Sequence, residues 1–362
     1  MIRAMLAWAN VRGAGPGFIN LGNTCFLNAT LQCMCYVPPL AQLLMRGGFG
    51  QAPPSAVQGE YRRADMLTFL EQLVRQVHAG ARGGGAPINP KNVVKNIHVL
   101  GKQFRKIGRQ EDAHEFLRHL VDHMAESCLR RAGVKGGAPH RLGETTAIHR
   151  VFGGYLRSQV RCGQCGFCSD TYDLSMDLSL EIAGGIGSLQ AALSRFTATE
   201  TLDAANRWRC GGCRKMVRAH KQLTVFRAPN VLVIHFKRFA FGRGSGKIGR
   251  AVQFPEEFLL DVSGPERRVL YRLTGVVVHV GGSMTFGHYY GFVRAPTGTW
   301  HHMDDSSTRQ VGLQTVLQQP AYLLFYTRLL PAAPAAAAAR REGAVAAAAV
   351  ASGNAAPAVA AA

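Results

Sequence analysis

The chain has 362 residues, 47% hydrophobic and 18% charged, with 42 Lys and Arg against 22 Asp and Glu for a net charge of +20. This is ordinary for a folded globule with two or three sub-structures. No apolar run of about 18 residues outside the tail suggests a membrane-spanning helix, and no secretory leader is expected, since the short apolar patch in Met1–Arg12 has no h-region followed by a small-residue cleavage site.

Residues 1–16 read as a lead-in. The segment Gly17-Phe-Ile-Asn-Leu-Gly-Asn-Thr-Cys-Phe-Leu-Asn-Ala-Thr-Leu-Gln-Cys33 places Cys25 between a polar, Gly-containing stretch and an apolar helical run. A helix N-terminus carries partial positive charge and unpaired N–H groups, so a thiol there ionises more readily, and the thiolate is the nucleophile. Asn23 and Thr24 are expected to cap the helix, and Asn20 to aim an amide at a developing oxyanion. A buried cysteine at a capped helix fits this segment equally well until a base is found.

Residues up to about 145 read mainly as helices. Met66-Leu-Thr-Phe-Leu-Glu-Gln-Leu-Val and Ala113-His-Glu-Phe-Leu-Arg-His-Leu-Val-Asp-His-Met have helical apolar spacing, and Gly80–Pro87 reads as a loop. His114-Glu-Phe-Leu-Arg-His119 resembles a zinc-protease helix, but its second His lies five residues on, so the two imidazoles point to different faces. Glu111, Asp112 and Glu115 cluster at the start of this helix, where acids are favoured in any case.

From about 150 to 330 the pattern turns to strands, as in the alternating Tyr172-Asp-Leu-Ser-Met-Asp-Leu-Ser-Leu. Cys162-Gly-Gln-Cys165 and Cys210-Gly-Gly-Cys213 form two knuckles. The spacing lets each pair clasp one side of a tetrahedral ion, and four thiolates leave no open position, so the implied zinc is structural. Two redox or unrelated pairs are the alternative. Cys168 reads as a spare thiol, and Cys33, Cys35 and Cys128 as packing residues. Nine cysteines with this usage argue for a reducing, intracellular compartment. Arg207, Arg209, Arg214, Lys215, Arg218 and Lys221 make a basic peak around the second knuckle, either a solvated face or a site for nucleic acid or another acidic partner.

Val231-Leu-Val-Ile-His-Phe-Lys-Arg-Phe239 is a buried strand. The following Phe241–Ile248 segment resembles a phosphate loop but lacks its first Gly and its Ser or Thr, so it reads as a plain loop. Thr274–Gly281 is a strand, Gly281–Gly287 a Gly/Ser loop, and His288-Tyr-Tyr-Gly-Phe-Val-Arg294 a second strand. His288, at the loop–strand junction, is placed to be a general base. Asp304 follows, able to accept its other ring N–H and fix its tautomer. Cys, His and Asp in this order is an arrangement known from cysteine proteases. Ala321-Tyr-Leu-Leu-Phe-Tyr-Thr reads as a closing buried strand, and the Ala-rich stretch 331–362 as a disordered or frayed tail.

The Cys25 segment, the Gln110-Glu-Asp-Ala-His-Glu-Phe116 segment and the His288/Asp304 segment together resemble the ubiquitin-specific protease family of deubiquitinases, from about Gly17 to Arg328. Asn-Thr-Cys-Phe-Leu-Asn-Ala with Tyr36-Val-Pro-Pro39 is similar to the subgroup containing nucleolar and testis-expressed members. The resemblance implies an α+β, papain-like cysteine protease fold with a catalytic domain over residues 17–330: a helical thumb (about 17–145), zinc-ribbon fingers (150–230) and a β-rich palm (231–330). It implies Cys25 as nucleophile, His288 as base, Asp304 as its orienting carboxylate, Asn20 as oxyanion donor and Asp305 as an assisting acidic position. It also implies that Gln110, Asp112, Glu115 and Tyr289 grip the basic C-terminal tail of ubiquitin, and that Cys162, Cys165, Cys210 and Cys213 hold the zinc. No cofactor is required for the chemistry. The expected protein is a monomeric thiol hydrolase acting on ubiquitin and ubiquitinated proteins in the nucleus, nucleolus or cytoplasm, away from membranes. A protease for a related modifier and a non-catalytic ubiquitin-binding scaffold are the alternatives.

Overall fold

The computed structural model describes residues 2–47, 65–80, 85–106, 108–134, 140–239, 246–283 and 286–330. The Ala-rich tail and most of the 241–248 loop therefore lie outside the described residues. Residues 1–328 form one compact unit.

Helices α1 (Cys25–Cys35), α2 (Pro38–Arg46), α3 (Met66–Gly80), α4 (Lys91–Asn96), α5 (Ala113–Arg131), α6 (His140–Gly143) and α7 (Ala147–Phe152) precede the strands, and α1, α3 and α5 coincide with the apolar helical runs of the sequence. Local chemistry sets several ends. Pro38 and Pro39 open α2, where a missing N–H is harmless. Asp112 caps α5, its side chain accepting from the Glu115 N–H at 2.8 Å. Thr146 caps α7 in the same way. Helix α1 is buried along all eleven residues. A helix with no exposed face belongs at the centre of a core, and its polar Asn28, Thr30 and Gln32 find partners within the protein.

Strands β1 (Gly154–Cys162) and β2 (Cys168–Ser175) form a hairpin. Then follow β3 (Leu178–Glu181), α8 (Leu189–Phe196), β4 (Glu200–Leu202), β5 (Trp208–Arg209), β6 (Met216–Val217), β7 (Ala219–Arg227) and β8 (Val231–Lys237). The rest are β9 (Glu257–Asp261), β10 (Arg268–Ser283), β11 (Phe286–Arg294), β12 (Trp300–Asp304), β13 (Ser307–Val311), α9 (Leu313–Leu317) and β14 (Ala321–Arg328). One sheet runs β2-β1-β7-β4; the first cysteine knuckle turns between β1 and β2, and the second lies in the turn of the small β5-β6 ribbon. The large sheet runs β13-β12-β11-β10-β14-β8-β3, with β9 also on β10.

The 150–230 segment is not all fingers. Strand β3 pairs parallel with β8 in the large sheet, and Leu189 and Ala192 of α8 join that sheet's core. Nothing local in Leu178–Glu181 names its partner strand, since an alternating run fits either sheet. The large sheet is apolar on both faces. Val277 of β10 packs with the helices around α1, while Val276 and Val278 face a second core with Phe236, Leu260 and Tyr326. Among the described residues, no helix is long and apolar enough to cross a membrane.

Candidate active site

Cys25 is the first residue of α1, so its backbone N–H has no acceptor within the helix. It is 2% exposed and sits where α1 crosses β11. His288, near the start of β11, lies beside Cys25, whose thiol acts on the imidazole. Its Nε2 lies 2.6 Å from Asp304 Oδ1 at the end of β12. The hydrogen bond with Cys25 and then the Asp304 carboxylate raise His288 to about 9, against partial burial. The sheet brings the sequence-derived Cys25, His288 and Asp304 into one chain of contacts, although His288 and Asp304 are separated from Cys25 by more than 260 residues.

Asn20 and Asp305 meet as well. Asn20 Nδ2 donates to Asp305 Oδ2 at 2.9 Å, and Asn28 Nδ2 donates to Asp305 Oδ1 at 2.8 Å. Asn20 Oδ1 accepts from the N–H of Gly22 (3.0 Å) and of Thr24 (3.2 Å), which fixes the amide orientation. Asp305 has φ +47, a left-handed conformation that Asp tolerates, and its carbonyl accepts from the Phe18 N–H at 2.7 Å. The Asp305–Ser306 turn is thereby stitched to the segment leading into Cys25. Asn28, three residues after Cys25 and 1% exposed, was not singled out by sequence. Its i+3 position on the same helix face as Cys25 was the available signal.

The expected helix caps are different in the structure. The Thr24 side chain makes no capping bond to α1. Its hydroxyl instead accepts from Leu21 N–H and pairs with Asn20 Oδ1. Asn23 has φ +54 and donates to the Gly108 carbonyl at 2.8 Å. Both residues shape the loop rather than satisfy the helix end.

The four residues expected along the ubiquitin tail stand differently from one another. Glu115 is exposed, with Gln103 donating to it at 3.1 Å. Both oxygens of Asp112 are occupied, one by the α5 cap and the other by the Tyr322 hydroxyl at 2.5 Å, and the residue is only 7% exposed. Gln110 bonds the backbone of Gly287 through both ends of its amide. Tyr289, expected in the channel wall, is 1% exposed and packs on His279 and Tyr322, so it belongs to the core beneath. Its strand alternates faces with His288, and burial of one face puts Tyr289 inside.

The four knuckle cysteines converge. Cys162 Sγ lies 4.0 Å from Cys213 Sγ, and Cys165 Sγ lies 3.6 Å from Cys210 Sγ. All four sulfurs are within 4.8 Å of one another. Tetrahedral thiolates at the usual Zn–S length stand about 3.8 Å apart, so the set can hold zinc. The N–H groups of Cys165 and Gln164 point at Cys162 Sγ at 3.4 Å each and bring its thiol down to about 6. Cys168 is exposed, outside the cluster. His114 and His119 part company as their spacing predicts: His114 meets Asp177 at 2.8 Å, and His119 meets Gln103 at 2.6 Å. The six basic residues around the second knuckle are all exposed.

A family model described as ubiquitin carboxyl-terminal hydrolase matches residues 16–326. Probable ubiquitin carboxyl-terminal hydrolase 16 of Schizosaccharomyces pombe is 40% identical over 328 residues, covering 89% of this chain and 69% of that protein. Ubiquitin carboxyl-terminal hydrolase 23 of Arabidopsis thaliana is 41% identical over 324 residues, covering 88% of this chain but only 36% of that protein. Among solved structures, a SAGA DUB module containing Ubp8 and bound to monoubiquitin matches with a TM-score of 0.72 and 26% identity, over 87% of this chain and 69% of that one. The same kind of module bound to ubiquitin aldehyde matches with a TM-score of 0.71 and 26% identity, over 87% and 70%. The chain belongs to the ubiquitin carboxyl-terminal hydrolase family, as a cysteine-type deubiquitinase of the ubiquitin-specific protease kind.

Proposed function

We propose that this chain hydrolyses the bond that follows the C-terminal Gly of ubiquitin, with Cys25 as nucleophile. The observation that carries the reading is the continuous contact Cys25–His288–Asp304. The thiolate attacks the carbonyl carbon, and the oxyanion is met by the Cys25 N–H and the Asn20 amide that Asp305 orients. His288 delivers its proton to the leaving amine, then takes one from the water that releases ubiquitin from the thioester. Glu115 is the exposed acid suited to pair an arginine of the basic tail. A terminus without side chains suits a thiol buried as deeply as Cys25.

The cysteine cluster is proposed to hold zinc in a structural role, pinning the two knuckles together. The exposed basic residues beside it make no ion pair among the described residues, which supports an anionic partner there. Salt-independent behaviour of the protein on an RNA column and on an acidic-protein column would remove that partner.

The functional test is hydrolysis of a fluorogenic ubiquitin C-terminal amide by the wild type and by Cys25→Ala, with a ubiquitin-derived electrophile to trap Cys25. Turnover that disappears in Cys25→Ala, with labelling at Cys25, is expected. Undiminished turnover in Cys25→Ala sinks the assignment, and no labelling in the wild type leaves the scaffold reading standing. The same substrate made with another ubiquitin-like modifier decides which modifier is cleaved.

A further inference from the structure

The amide of Gln110 grips the residue next to the base. Its Nε2 donates to the Gly287 carbonyl at 2.5 Å, and its Oε1 accepts from the Gly287 N–H at 2.9 Å. One side chain thus satisfies both backbone groups of one residue, as a neighbouring strand does in a ladder. No strand does this here from the β12 side: the β11–β12 ladder begins only at Gly291, opposite Met303. The β10–β11 ladder shifts register between Val280 and Ser283, with Gly281 at φ +136. The stretch ahead of His288 therefore lies beside a bulge on one side and beyond the end of a ladder on the other. Such backbone is free to move unless something else holds it.

Gln110 is itself well anchored. Two residues later Asp112 caps α5 and accepts from Tyr322 of β14. On its other side, Gly287 rests on β10: a Cβ there would fall on His279 Nε2 and the Val280 carbonyl. Gly287 is therefore held between a buried imidazole and the Gln110 amide. His288 comes next, with its Nε2 on Asp304 and its ring beside Cys25. A small rotation of the Gly287 peptide swings that ring away from both.

We infer that Gln110 is a positioning residue for the base: its two-point clamp on Gly287 holds His288 in line between Cys25 and Asp304, independently of any contact with substrate. The inference rests on the proposed chemistry of Cys25 and His288. It departs from a role confined to gripping a substrate tail, because the clamp is complete without one.

The test uses a probe that has no tail. Alkylation of Cys25 by iodoacetamide is followed by mass spectrometry of the peptide carrying it, from pH 5 to 10, beside kcat and KM on the fluorogenic ubiquitin amide. The charged and titratable groups facing His288 are Cys25 from α1, Asp304 and His302 from β12, Asp305 from the following turn, His279 from β10 and Tyr290 on its own strand. All of these remain in the variants. Gln110→Met keeps the packing and removes both bonds, while Gln110→Glu keeps the acceptor for the Gly287 N–H and loses the donor. We expect Gln110→Met to slow alkylation at neutral pH by about 10-fold, to move its pH profile toward that of His288→Ala and to lower kcat, with KM within about 3-fold. Gln110→Glu falls between it and the wild type. Wild-type alkylation rates and pH profile in Gln110→Met, with only KM raised, overturn the inference. If Gln110→Met does not fold, as read by its thermal melt, then Gln110→Glu decides: slowed alkylation supports the clamp and wild-type alkylation overturns it. Failure of the underlying chemistry looks different. In that case the wild type alkylates no faster than His288→Ala, and the inference falls with the reading it rests on.

Discussion

His288 carries the electrostatics of the site, and its shift has a sign. The hydrogen bond to Cys25 and the Asp304 carboxylate raise it to about 9, so the imidazolium persists well above the ordinary histidine range. The folded value is above the unfolded one. The stabilisation from the pair is therefore complete below the ordinary histidine pKa and is lost as pH rises through about 9. The alkaline limb of kcat/KM is expected near pH 9, and Asp304→Ala should move it to lower pH because one raising contribution is gone. An alkaline limb unmoved by Asp304→Ala, measured across a pH series on the ubiquitin amide, contradicts this account. Asp305 acts on a different atom. It holds the Asn20 amide and is itself held by Asn28. Asp305→Ala is expected to lower kcat by about 10- to 100-fold with KM nearly unchanged, as for a displaced oxyanion donor. A raised KM with normal kcat would place Asp305 in binding instead.

The elements depend on a few such residues at their ends. Asp112 both caps α5 and accepts from the buried Tyr322 hydroxyl. Asp112→Ala removes a cap and strands that hydroxyl, a loss of about 1–3 kcal/mol, to be read as a lower midpoint in urea. A midpoint unchanged in Asp112→Ala, with weaker ubiquitin binding, returns Asp112 to the tail-gripping role. The fingers tip raises a different question of scale. Its buried core is Cys162, Cys210 and Val217, with Trp208 and Cys213 at the margin. That is too little apolar surface to hold two hairpins together. Zinc bound there would supply the missing cross-link. Purified protein is expected to hold about one zinc by elemental analysis. Cys210→Ser should lose it and become susceptible to proteolysis within residues 162–218. Full resistance without metal would show that the hairpins suffice.

Across the whole molecule, α1 is the joint between the helical half and the large sheet. It lies close on β10 and β11 because glycines face it there. A Cβ on Gly275 would sit 3.2 Å from Cys33 Cβ, and one on Gly291 would sit 3.4 Å from the Ala29 carbonyl. The same close approach brings Cys25 to His288. Gly275→Val is expected to push α1 outward, lowering stability by about 1–3 kcal/mol and lowering kcat together with it. Normal turnover in a folded Gly275→Val protein would mean that the thiol–imidazole contact does not depend on this packing.

Much was legible in the order of the residues. A cysteine at the start of an apolar helix, a histidine at a loop–strand junction and an aspartate soon after each announce chemistry through local pattern. So do the two C-x-x-C knuckles, because metal ligation is a matter of short spacing. The sequence by itself determined which side chains carry reactive groups and which stretches form helices or strands. Tertiary structure alone decided which polar groups remain free for a substrate. Asp112, Gln110 and Tyr289 look alike as candidates along the chain, yet one accepts from a buried tyrosine hydroxyl, one bonds the backbone beside His288 and one lies in the core. The reason is that a hydrogen-bond partner or a burying neighbour comes from another element more than 170 residues away in the first two cases. Local spacing carries no information about such a partner until the sheet closes.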